Sequence, residues 1–200
     1  MAESDSSFMA LLAHPDTPSE AVRRLVARAE LVNPDSLRLE YVLEADWPHV
    51  LMPQPALEGG RAERLWAHTC FEAFVGVDDS PQYLELNLSP STEWAAYRFE
   101  SYRQGMVPAV LHAAPRLALH RSETRLELQT EVRLAGTAAA PEPGAQACRS
   151  PRLRIALSAV VEDREGRLSY WALRHPPGRP DFHHPHSFSL ALEFPRNQLT

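Results

Sequence analysis

Apolar residues recur at every second position through most of this chain, a period that suits strands with one buried face and excludes long amphipathic helices. In "CFEAFVGV" the apolar set is Phe71, Ala73, Val75 and Val77, alternating with Cys70, Glu72, Phe74 and Gly76. In "YLELNLSP" the set Leu84, Leu86 and Leu88 alternates with Tyr83, Glu85 and Asn87. Between the two, "DDSPQ" places Asp79, Ser80 and Pro81 in a turn. The pair therefore predicts a hairpin with one greasy and one polar-aromatic face. The same period runs through Leu37–Leu43, Leu126–Leu134, Leu153–Val161 and Phe188–Phe194. Eighteen prolines against eight glycines also favour short strands joined by stiff turns. The pattern predicts an all-β chain, a two-sheet antiparallel β-sandwich of the jelly-roll kind.

Two segments break the rhythm. "PSEAVRRLVARAEL" spaces Ala21, Val22, Leu25, Val26 and Ala29 as an amphipathic helix would, although a strand with Leu25, Ala27, Ala29 and Leu31 inward also fits. "GTAAAPEPGAQACRSP", residues 136–151, is Pro/Ala-rich and predicts a flexible loop within a single domain spanning 1–200.

Charge and cysteine usage narrow the function. A net charge of −6 argues against nucleic acid as a partner. Cys70 and Cys148 form neither a disulfide framework nor a zinc-ribbon pattern. The start, MAESDSSFMALLAHP, is acidic with a short apolar run, unlike a signal peptide, and no stretch approaches the roughly 20 apolar residues of a membrane span. These features predict a cytoplasmic protein with neither membrane nor nucleic-acid partners.

Chemistry concentrates in two places. In "STEWAAYRFESY" an extended reading puts Tyr97 and Phe99 towards the core and Trp94 and Arg98 on the opposite side. If the neighbouring strands align, one face then carries Glu72, Glu85, Asn87, Trp94 and Arg98. Carboxylates, an amide, a guanidinium and flat rings are the groups that hold sugar hydroxyls and C–H faces. The plain alternative is a solvated face with a Glu85–Arg98 ion pair. The second place, "YWALRHPPGRPDFHHPHSF", offers Trp171, His175, Asp181, His183 and His184. Its prolines make a stiff loop, its histidines follow no fixed metal-binding spacing, and Asp181 with His183 is a weak general-base arrangement. Cys70 reads as a small core residue rather than a nucleophile.

The stretches "LWAHTCFEAFVGV" and "YLELNLSPSTEWAAYRF" resemble DOMON-like domains related to family 9 carbohydrate-binding modules, and "SYWALRHPPGRPDFHH" looks like the closing motif of a bacterial subgroup. The resemblance runs from about Phe8 to Phe194. It implies a jelly-roll sandwich with ligand on or beside a concave sheet face, and it implies a strand over Val22–Leu31. Relatives clamp a sugar between tryptophans, for which Trp66, Trp94 and Trp171 are the counterparts, or hold haem through a methionine and a histidine, for which Met106 and His175 stand. The expectation is a non-catalytic module for a carbohydrate or similar polar small ligand, with no cofactor. The alternative is a haem- or transition-metal-binding domain using histidines of the 175–186 loop.

Overall fold

Residues 7–140 and 152–194 are described by the structure, a computed structural model. The strands are β1 (Met9–Ala10), β2 (Leu12–Ala13), β3 (Val22–Asn33), β4 (Ser36–Ala45), β5 (Cys70–Val77), β6 (Tyr83–Leu88) and β7 (Trp94–Phe99). They continue as β8 (Val107–Pro108), β9 (Ala118–Arg121), β10 (Arg125–Arg133), β11 (Arg152–Glu162), β12 (Leu168–Ala172) and β13 (Leu190–Glu193). Among the described residues the only helical pieces are three short 3-10 turns, and no helix is long and apolar enough to cross a membrane. The flexible loop expected at 136–151 lies largely outside the described residues.

Two antiparallel sheets form a sandwich. The first runs β1-β3-β4-β10-β9, and the second runs β2-β12-β11-β5-β6-β7-β8, with β13 pairing the other end of β11. Their inner faces are the apolar sets read from the sequence. Leu25, Leu37, Leu39, Tyr41 and Leu43 meet Phe71, Val75, Leu84, Leu86 and Leu157, all buried in one cluster. Each such side chain contributes roughly 1.5–3 kcal/mol by leaving water. Tyr41 stacks on Phe71 with centroids 5.0 Å apart and donates its hydroxyl proton to the Glu72 carbonyl at 2.7 Å, so its polar end is satisfied inside the core.

The ambiguous segment is a strand. β3 pairs with β4 along its length and turns Leu25, Ala27 and Ala29 inward. Its helical look has a local cause. The pairing shifts between Val22 and Arg24, a bulge that brings both Val22 and Leu25 to the core side. That insertion converts a period of two into an i, i+3 spacing.

The outer face of the second sheet is covered as well. β5 and β6 are buried almost throughout because a second cluster packs on that side. Phe74, Tyr83, Tyr97, Phe99 and Val160 meet Phe182, Phe188 and Trp66 there. The proline-rich segment 174–189 thus lies over the sheet as a lid of rings, and the candidate site is between lid and sheet.

Candidate functional site

A cleft of about 350 Å³ opens beneath this lid. Its floor carries two glutamates, Glu72 from β5 and Glu85 from β6, only 3% and 5% exposed. Its walls include Trp66, Phe99, Tyr170 and Phe182, and its rim Arg103 and Met106. The sheet explains the floor: Glu72 pairs with Asn87 and Phe74 with Glu85, so the two carboxyls are diagonal neighbours on one face.

Glu85 is partly provided for. The Asn87 amide donates to its Oε1 at 2.6 Å. Burial nonetheless pushes its pKa up to about 7, against the pull of Asn87 and Arg103. Glu72 is less well served: Oε1 is buried with no hydrogen-bond partner among the described residues. Burial, then the nearby Glu85 charge, raises the Glu72 pKa well above the carboxylate range. Ser158, directly across from Glu72 on β11, likewise has a buried Oγ without a partner. Orphaned polar groups of this kind are rare, because each costs about 1–3 kcal/mol.

His183 closes the cleft from above. The Tyr83 hydroxyl accepts the Arg103 backbone N–H at 3.2 Å and lies 2.9 Å from His183 Nδ1. With the Tyr83 proton given to Nδ1, the neutral ring carries its own proton on Nε2, which faces Glu85 Oε2 at 3.7 Å. Burial, assisted by the Arg103 charge, lowers the His183 pKa to about 4, and burial raises that of Tyr83 to about 12. Arg103 is itself held by Asp181, whose Oδ1 accepts from Nη2 at 2.8 Å and Nε at 3.3 Å. Burial works against the Asp181 charge, but hydrogen bonds from Tyr102 and Arg103 outweigh it and keep the carboxyl below its usual range.

The structure rearranges the expected site. Glu72, Glu85 and Asn87 share the face that alternation assigned to them. Trp94 and Arg98 do not join them. β6 and β7 pair Glu85 with Tyr97, Asn87 with Ala95 and Leu88 with Trp94. Residues opposite one another point the same way, so Tyr97 and Phe99 belong to the cleft side and Trp94 to the inter-sheet core. Arg98, half-buried, pairs with Leu84 on that inner side and cannot pair with Glu85 across the strand. The alternation within β7 is as read; its parity relative to β6 is one residue off. The Ser89–Glu93 corner sets that parity, closed by Ser89 N–H to Glu93 O at 2.9 Å and Thr92 N–H to Ser89 O at 3.0 Å, with Thr92 at a φ of 75°.

Trp171 is also an inner residue. It pairs with Ala159, is buried in the core, and donates its indole N–H to Ser169 Oγ at 3.0 Å. His175 donates through Nε2 to the Leu12 carbonyl at 2.8 Å and packs edge-on to His14, so it ties the loop to β2. Met106 lines the cleft, and His175 is not among the residues lining it. His184 accepts the His186 N–H at 3.1 Å and starts the turn Pro185–Ser187. Asp181 Oδ1 accepts the backbone N–H of His183 at 3.1 Å, so it positions the chain while the His183 ring answers to Tyr83. The acid–base pairing of Asp181 with the His183 ring is therefore not formed. No group of three or more His, Cys, Asp or Glu among the described residues is placed to hold a metal ion. Cys70 is fully buried, and burial with the Glu72 charge beside it raises its pKa well above that of a free thiol, so the thiolate nucleophile is disfavoured.

Tyr170, Phe182 and Arg103 are cleft residues that the sequence reading did not select. For Tyr170 a signal exists: it alternates with Trp171, so placing one indoors places the other on the cleft face. Arg103 has none, since it reaches the cleft from a left-handed turn residue (φ 55°) between β7 and β8.

No family model matches this chain, and no curated protein matches it. Solved structures do. A candidate carbohydrate-binding protein from Bacteroides uniformis superposes with a TM-score of 0.66 at 13% identity, over 94% of this chain and 85% of that one. A family 9 carbohydrate-binding module from Caldicellulosiruptor kristjanssonii in complex with glucose matches at TM-score 0.47 and 10% identity, over 90% and 79% of the two chains. The cellotriose complex of a family 9 module from the same organism gives 0.46 and 10%, over 86% and 74%. At such identities the first match establishes a shared fold.

Proposed function

We propose that this chain is a non-catalytic binding module for a carbohydrate or similar polar small ligand, seated between Glu72 and Glu85 below and the 174–189 segment above. The observation that carries the reading is the unpartnered Oε1 of Glu72, buried in a cleft whose walls include Trp66, Phe99, Tyr170 and Phe182. A sugar supplies what both surfaces lack: hydroxyls that donate to the carboxyls and C–H faces that lie on Trp66 or Tyr170. A volume of about 350 Å³ falls at the lower end of ligand pockets and suits one sugar unit. The shared fold with a candidate carbohydrate-binding protein supports the choice of ligand class. Kinship with DOMON-like domains rests on the sequence motifs.

The test is a panel of monosaccharides and disaccharides, read first by thermal shift and then by calorimetry. A ligand that binds only the native state raises the melting temperature by mass action. Binding that weakens in both Trp66→Ala and Glu72→Gln supports the cleft. Binding unaffected by either moves the site, and no binding across the panel refutes the carbohydrate reading.

A further inference from the structure

Resting on that reading, we propose that the ligand of this cleft carries a protonated amine, as a sugar with a free amino group does, placed against the Glu72 and Glu85 carboxyls.

The charge balance of the cleft points there. Both glutamates are more than nine-tenths buried, and among the described residues neither forms a close ion pair with a lysine or arginine. The one guanidinium at the rim, Arg103, is engaged by Asp181 at 2.8 Å. His183 Nε2 lies 3.7 Å from Glu85 Oε2, and its surroundings keep it neutral at neutral pH. The other groups facing the pair add no positive charge. Cys70, Tyr83 and Tyr97 are held neutral by burial on the same sheet, as is Tyr41 reaching in from the facing one. With both carboxyls ionised, the cleft carries two buried negative charges against one rim guanidinium that Asp181 already engages.

A neutral polyol satisfies hydrogen bonds and leaves that charge in place. An ammonium supplies three donors and one positive charge together, which suits the unpartnered Glu72 Oε1. The walls are aromatic, with Trp66, Tyr170 and Phe99 around the same space, and a ring that turns its face to the ligand attracts positive charge. A single ammonium offsets one negative charge, so binding would favour ionisation of one of the two carboxyls, which gives its proton to the buffer while the amine keeps its own. Net proton release therefore accompanies binding near neutral pH.

Calorimetry with glucosamine, glucose, N-acetylglucosamine and tetramethylammonium, in two buffers of different ionisation enthalpy at pH 7, tests this. The expected result is that glucosamine binds at least about tenfold more tightly than glucose or N-acetylglucosamine, as charge-assisted contacts allow, with protons released. Glu72→Gln and Glu85→Gln should each shrink that preference. Glucose binding as tightly as glucosamine overturns the amine proposal and leaves the carbohydrate reading standing. Tetramethylammonium binding without any sugar overturns the carbohydrate reading and supports a cation site. Failure of all four probes to bind overturns the amine proposal.

Discussion

The Tyr83 hydroxyl and His183 Nδ1 lie 2.9 Å apart, joining residues 100 positions distant in the chain. This contact fastens the proline-rich lid to the middle of the second sheet. The same oxygen accepts the Arg103 amide, so one hydroxyl holds both the lid and the turn that carries the rim arginine.

Removing that hydroxyl should loosen both. Tyr83→Phe keeps the ring stacked on Phe99, with centroids 4.7 Å apart, and strands two polar partners. The expected loss is about 1–3 kcal/mol in urea unfolding, the cost of buried groups left unpaired. Faster amide exchange should be confined to segment 174–189 and the turn at Arg103. Unchanged stability and exchange would mean that ring packing alone holds the lid.

Trp94→Ala should act on stability. The indole is buried between the sheets with the Arg61 guanidinium over it at 5.4 Å. Truncation of a core tryptophan costs about 3–5 kcal/mol, and Leu86→Ala beside it about 2–5 kcal/mol. A Trp94→Ala protein as stable as its parent would show that the β6–β7 register is misplaced.

The buried carboxyls should make stability fall as pH rises. Glu85 binds its proton more tightly folded, at about 7, than unfolded, near the ordinary 4.5. Its contribution is complete below about 4.5 and lost as pH climbs through 7. Glu72, also raised, acts in the same sense. His183 works the other way: its pKa falls from 6.5 to about 4, so its contribution is present above 6.5 and lost as pH falls towards 4. The stability of the parent minus that of Glu85→Gln should therefore decline by about 3 kcal/mol between pH 4.5 and 7, by the conversion of a pKa shift to free energy. A difference that stays flat across that range would mean Glu85 is not desolvated.

His184→Ala should behave as the loss of a turn cap. Its ring accepts the His186 N–H, and substitution should cost about 0.5–2 kcal/mol, as for other side-chain caps. Metal content of the purified protein should not change. Loss of a bound metal in this variant would revive the metal-binding alternative for the loop.

The period of two was enough to specify strands and to sort most of them into inner and outer sets. Leu39, Leu86 and Ile155 are fully buried where alternation placed them, because one side of a strand meets the core whatever its neighbour is. Glu72, Glu85 and Asn87 were legible as an opposite face for the same reason. Three things were not. Alternation says nothing of how one strand is phased against the next, and the Ser89–Glu93 corner decided that Tyr97, rather than Trp94, stands beside Glu85. A polar face does not reveal whether it meets water; only the packing of Phe182 and His183 over the sheet buried the two glutamates and raised their pKa values. Loop side chains carry no period at all: His184 caps its own turn, while the separation of His183, facing the cleft, from His175, bound to the β2 backbone, came from long-range contacts that form only once the sandwich has closed.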